Sequence, residues 1–142
     1  MNESTLVADG VIERELRIAA RPETVFGFWT DPATMARWMG RDIRLDARPG
    51  GEYHIDYNGS DIARGSFVEV EPPRRLVMTW GWEGAGDSTP PGASRVEVTL
   101  VPDGDGTILR LRHSGLPADA VEPHAQGWDQ FLPGLAEAAT AG

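Results

Sequence analysis

The sequence predicts an α+β domain: a curved antiparallel sheet of about six or seven strands wrapped around a long C-terminal helix, with two short helices after the first strand. Two tryptophan-bearing helical segments, residues 21–40 and 124–139, bracket the chain. Between them, segments of alternating apolar and polar residues place Tyr, Trp and His at every second position and break at turn signals. Strand-like and helix-like patterns are therefore segregated along the chain instead of alternating. A helix closing over an aromatic-rich sheet encloses space, and enclosed space in a small protein is the usual form of a ligand pocket.

Residues 1–10 are polar and unpatterned and are expected as a loose tail, leaving 11–142 as one domain. In residues 11–19, Ile12, Leu16 and Ile18 share one face with Glu13, Glu15 and Arg17 opposite, the mark of a half-buried strand. Arg14 falls on the apolar face, either where the sheet edge meets water or as a pocket charge. Pro22 suits the first turn of a helix that carries Val25, Phe26 and Trp29 at helical spacing. Asp31-Pro32 stops it and caps a second short helix carrying Met35, Trp38 and Met39.

Strand texture begins at Ile43. Tyr53, Ile55 and Tyr57 share a face, His54 lies on the opposite, solvent-exposed side, and Asn58-Gly59 predicts a type I′ hairpin turn. The next strand carries Phe67 and ends at Pro72-Pro73, and Arg74-Arg75 reads as a surface turn. Leu76, Met78, Trp80 and Trp82 then lie on one side of a strand, opposite Val77, Thr79 and Gly81. Residues 84–93, rich in Gly and Pro, are expected as a mobile loop. Val96, Val98 and Leu100 alternate, a tight turn follows at 103–106, and Leu109, Leu111 and His113 share a face. Pro117 and Pro123 precede a final helix with Val121, His124, Trp128, Phe131/Leu132 and Leu135 on one stripe; Pro133 inside it predicts a kink or break.

Composition narrows the function. With 142 residues and no cysteine, the chain can bury a core without staples, and thiolate catalysis and disulfides are excluded. A formal charge of −9 argues against nucleic acid and against an acidic membrane surface. All 13 basic residues are Arg, which excludes Schiff-base chemistry and a phosphate-loop lysine and reads as the mark of a GC-rich genome. No apolar stretch is long enough to span a bilayer and no signal peptide is visible, so a cytoplasmic location is expected. Three scattered histidines without ligand spacing predict no metal site, and no cofactor fingerprint occurs. Asp103-Gly-Asp105-Gly opens like a calcium loop, but its last position, where a bidentate Glu is required, is Ser114.

The element order resembles the START-like, or SRPBCC, superfamily with its helix-grip fold. The residues Pro22-Glu23-x-Val25-Phe26, Trp29-Thr30-Asp31-Pro32, Trp38, Pro49-Gly50-Gly51 and Gly65-x-x-x-Glu69-x-x-Pro72-Pro73-Arg74-Arg75-Leu76-Val77-x-Thr79-Trp80 carry the resemblance. His113-Ser114-Gly115 and Gly127-Trp128-x-x-x-Leu132-x-x-Leu135 complete it. Within the superfamily the chain is most similar to the family named after the activator of heat-shock protein 90 ATPase. The resemblance implies a hydrophobic cavity; it does not imply a shared reaction, because the fold hosts carriers, cyclases and binding modules. Co-chaperones of that family carry a further N-terminal domain, for which the sequence leaves no room, so chaperone stimulation is not expected.

The candidate site follows from the inward positions. Trp38, Tyr53, Ile55, Tyr57, Phe67, Met78, Trp80, Trp82, His113, His124, Trp128 and Leu132 are expected around a small hydrophobic ligand, aromatic, polyketide-like or lipid-like. The same aromatic stripe equally serves as ordinary core. His113 is the candidate general acid or base if the protein is a cofactor-independent cyclase or aromatase; otherwise it is a hydrogen-bonded residue holding the strand–helix junction. The expected function is that of a carrier or sequestering protein, including self-resistance by capture of a product, ahead of catalysis. A protein partner is compatible with the sequence and not indicated by it.

Overall fold

The computed structural model describes residues 10–83 and 89–141; most of the expected tail and residues 84–88 of the predicted loop lie outside the described residues. The elements run β1 (Ile12–Ile18), α1 (Pro22–Thr30), α2 (Pro32–Met35), β2 (Asp42–Leu45), β3 (Glu52–Asp56), β4 (Ile62–Glu71), β5 (Arg75–Trp80), β6 (Ser94–Asp103), β7 (Gly106–Ser114) and α3 (Ala118–Ala141). The strands form one sheet in the order β1-β7-β6-β5-β4-β3-β2, antiparallel throughout. It is the expected helix-grip architecture, with seven strands. Strands β2 to β7 are a simple meander, so α1 and α2 carry the chain from one edge of the sheet to the other. The long helix α3 lies against β1 and α1.

Local chemistry explains the helical connection. Pro22 occupies the start of α1, where a missing N–H costs nothing, and Glu23 lies in its first turn. The Asp31 side chain accepts from the Ala33 amide at 3.0 Å, capping α2. Thr34 donates its hydroxyl to the Gly27 carbonyl at 2.8 Å and fixes the angle between the two helices. Helix α2 ends at Met35, so Trp38 and Met39 fall in the turns after it and not within it, as the spacing had suggested.

Several expectations change on contact with the fold. Helix α3 begins at Ala118 and continues through both Pro123 and Pro133, with neither a break nor a later start. Each proline frees the carbonyl four residues earlier, at Asp119 and Asp129, and both positions are exposed, where water serves those carbonyls. The Asn58-Gly59 turn is not type I′, which needs two positive φ angles; no described non-glycine residue has one. Asp56 and Asn58 side chains instead cap the amides of Asn58 through Asp61 in a wider loop, leaving only Gly59 at positive φ (89°). Gly10, assigned to the tail, is buried and accepts from the Leu116 amide. The Gly104-Asp105 turn joins β6 to β7 as expected.

The outer face of the sheet is more structured than its sequence suggests. Glu13 and Glu15, read as solvating charges, pair across strands with Arg112 and Arg110 at 3.0 Å each. Arg75 opens β5 and bridges Glu69 and Glu97 at 3.3 and 3.1 Å, so it is not part of a surface turn. Arg14 lies on the edge strand where the sheet meets water, and there it forms a bidentate pair with Asp129 of α3 at 2.6 and 3.1 Å, joining the helix to β1. His54 is half-buried, 3.8 Å from Glu83, and not fully exposed.

The core lies between the concave sheet face and the helices, with Ile12, Ile18, Trp29, Phe67, Leu76, Met78, Leu109 and Leu135 all at most 1% exposed. A register shift between Phe67 and Glu69 marks a bulge in β4 that bends the sheet. Gly65 packs so closely on the neighbouring strand that a Cβ there would collide with the Thr79 carbonyl. That carbonyl also accepts from the Tyr53 hydroxyl at 2.6 Å, while the Thr79 hydroxyl accepts from the Ser66 amide.

Candidate functional site

The β2–β4 end of the sheet carries the chain beyond the reach of α3, and side chains alone bridge the gap. Tyr57 meets Phe131 of the helix at 5.5 Å between ring centroids and Trp82 at 5.4 Å. A cleft of about 940 Å³, open to solvent, remains between three walls. One wall is the segment 36–41 after α2, another the 57–61 turn with Trp80, Trp82 and Glu83, and the third the first half of α3.

On α3 the cleft residues are Asp119, Ala120, Pro123, His124, Gly127, Trp128 and Phe131. Their spacing of three and four residues is a complete helical stripe, with small residues between the rings. Sequence reasoning placed His124 and Trp128 here but chose Leu132, which is buried on the adjacent stripe against the core, over Phe131. The small residues at 120, 123 and 127, on the face that also carries two aromatic rings and an imidazole, were the signal.

Of the expected ligand-facing residues, Trp38, Tyr57, Trp80, Trp82, His124 and Trp128 line this cleft. Tyr53, Ile55, Phe67, Met78, Leu132 and His113 are at most 4% exposed and pack behind it. Tyr53 stacks on Trp80 at 5.7 Å and meets Phe67 edge-on at 6.0 Å, so it supports the wall from behind. Burial, and then the charge of Tyr57, hold its phenol well above the ordinary tyrosine pKa. No sequence signal singled out Arg37, Arg41, Asn58, Asp61, Glu83 or Asp119, the polar groups of the cleft.

The tautomers of the two inner histidines follow from their partners. The Ser94 hydroxyl has one proton and gives it to the Trp80 carbonyl at 2.7 Å. His113 Nε2, 2.8 Å from the Ser94 hydroxyl oxygen, must therefore carry its own proton and donate it to Ser94. Nδ1 is then bare and accepts from the Trp128 indole N–H at 3.0 Å. Burial first, and the nearby His124 second, push the His113 pKa down to about 3. His113 is thus neutral, fully bonded and sealed from solvent.

His124 has the opposite tautomer. Its Nδ1 lies 2.7 Å from the Ala120 carbonyl, which only accepts, so this nitrogen carries the proton. Nε2 accepts from the Trp82 indole N–H at 2.8 Å. The two imidazoles meet edge to face at 5.1 Å, and each has spent both nitrogens on the fold. Trp82 is held further by its own backbone, whose amide donates to the Thr89 carbonyl at 2.8 Å.

No cluster of three or more His, Cys, Asp or Glu among the described residues has metal-site geometry. No helix among them is long and apolar enough to cross a membrane.

Comparison with known proteins agrees with this fold. No curated protein matches the chain significantly. Among solved structures, an AHSA1-like protein of Rhizobium etli is 44% identical, with 92% of this chain and 81% of that one covered at a TM-score of 0.72. CalU16 of Micromonospora echinospora is 32% identical, covering 92% and 76% at a TM-score of 0.75. An HSP90 activator of Plasmodium falciparum is 25% identical, covering 87% and 91% at 0.73. The family model described as "Activator of Hsp90 ATPase homolog 1-like protein" matches residues 19–140. With the fold, the matched span and the Rhizobium relative in agreement, the chain belongs to the family of activator of Hsp90 ATPase homolog 1-like proteins.

Proposed function

We propose that the protein binds a small aromatic or similarly flat hydrophobic molecule in the cleft between α3 and the β2–β4 end of the sheet, as a carrier or sequestering protein. The observation that carries this reading is a cleft of about 940 Å³ walled by Trp38, Tyr57, Trp80, Trp82, Trp128 and Phe131. Such a volume falls within the range of small-molecule sites, and flat rings on opposing walls favour a flat guest. The walls are pre-organised. Trp38 donates to the Phe28 carbonyl at 2.9 Å, and Trp82 and Trp128 donate to imidazoles, so these rings lose little freedom when a ligand arrives.

The same bonding supports binding over turnover. Acid–base catalysis by His113 or His124 requires a ring nitrogen in reach of substrate, and both rings have their nitrogens engaged. The likeness to an HSP90 activator supports a second reading, a protein-interaction module. It predicts capture of the chaperone with no response to small molecules.

The test is a calorimetric titration with neutral 9-fluorenone, a planar tricyclic ketone. Saturable binding that weakens several-fold in Phe131→Ala supports the cleft. Absence of binding to the folded protein, or binding indifferent to Phe131, overturns it.

A further inference from the structure

The polar groups on the cleft wall are unequally committed, and the imbalance has one sign. Among the carboxylates, Asp61 accepts from the Asn58 amide at 2.9 Å and Glu83 pairs with Arg64 at 3.1 Å. Asp119 lies in the first turn of α3, where the helix dipole favours a negative charge. The donors of Trp82, Trp128 and Trp38 are all spent, and the Tyr57 hydroxyl donates to the Met39 sulfur at 3.1 Å. Arg37 lies over the Phe28 ring at 5.3 Å and reaches the Ala138 carbonyl at the end of α3.

One cation is left. Arg41 lines the cleft and is exposed, and no carboxylate among the described residues lies within ion-pair distance of it. Its guanidinium rests against the tip of the 57–61 turn, where a Cβ added at Gly59 would meet Nη2 at 3.0 Å.

We infer that the cleft takes an aromatic acid: a flat apolar body carrying a carboxylate for Arg41. A guanidinium matches a carboxylate by two parallel hydrogen bonds, which gives the ligand its orientation as well as affinity. The carboxylate sits at the solvent-facing end, so it keeps part of its hydration while the ring body is buried. This inference rests on the cleft being the ligand site.

The experiment compares 9-fluorenone-2-carboxylate with its neutral carboxamide on the wild type and on Arg41→Gln. The expected result is a carboxylate bound about tenfold more tightly than the carboxamide, the scale of one charge-assisted contact at a partly exposed site. R41Q removes that preference, Arg41→Lys retains part of it, and added salt shrinks it. Equal binding of acid and amide, or a preference that survives R41Q, overturns the inference and leaves the aromatic-ligand reading standing. Failure of both probes to bind overturns the two together.

Discussion

Trp128 and Trp82 both line the cleft and each give an indole N–H to an imidazole, yet the partner of Trp128 is sealed in the core and the partner of Trp82 stands on the cleft wall. His113, partner of Trp128, sits on β7 between β1 and β6, paired in register with Ile12 on one side and Val96 on the other. Its surroundings are closed by backbone. His124, partner of Trp82, sits on a helix, and Trp82 lies past the end of β5, tied to β4 only by a single bridge to Ala63. The side-chain chemistry is the same in both places. What differs is how much regular structure covers it, and that decides which imidazole becomes core and which becomes part of a wall that a ligand can reach.

The contrast sharpens into measurable differences between the closed and open regions. Phe67, 1% exposed, belongs to the closed one. Phe67→Ala should cost about 3–5 kcal/mol in urea unfolding through lost burial and the cavity left behind. Phe131, half-buried on the cleft wall, is the counterpart. Phe131→Ala should cost no more than about 1 kcal/mol while weakening ligand binding. If the two cost the same, the division into closed core and open wall is wrong.

The sealed histidine also has a pH signature. Its pKa is about 3 in the folded protein against an ordinary 6.5, so between these values the unfolded chain binds a proton that the folded protein refuses. Stability from this group is therefore complete above pH 6.5 and is lost as pH falls towards about 3, by up to roughly 1.4 kcal/mol per pH unit. Because carboxylates titrate in the same range, the readout is the difference between wild type and His113→Gln. The variant should be less stable at neutral pH by about 1–3 kcal/mol, and the gap should close on acidification. A gap independent of pH would mean that His113 is not buried as a neutral ring.

The smallest expected effect is at the joint between the helix and the sheet edge. Arg14 and Asp129 are 31% and 59% exposed at the side chain. Arg14→Ala should therefore cost only about 0.2–1 kcal/mol, less still in high salt. A larger loss would show that α3 depends on this clamp more than on its buried stripe.

The fold was legible because the alternation of residues such as Val96, Val98 and Leu100, and the helical spacing of Val121, Trp128 and Leu135, report burial directly. Prolines misled where local rules meet tertiary context. Pro123 reads as a boundary and Pro133 as a kink or break, but on the exposed side of a helix otherwise anchored along its length both are accommodated without ending it. The site was half legible. Inward aromatic positions were visible, but whether a ring fills the core, as Tyr53 does, or faces a cleft, as Tyr57 does, depends on where the backbone of another element ends. Arg41 and Phe131 were missed for that reason: each becomes part of a site only when α2, the 57–61 turn and α3 are brought together. The roles of His113 and Ser94 were hidden similarly, since a tautomer is set by partners distant in sequence.

The most direct measurement is a two-dimensional NMR titration with 9-fluorenone, following the indole N–H signals of the five tryptophans. Saturable shifts at Trp80 and Trp82, which line the cleft, with Trp29 in the closed core unmoved, are the predicted result. No saturable shift at Trp80 and Trp82, or a shift of equal size at Trp29, would contradict the cleft as the ligand site.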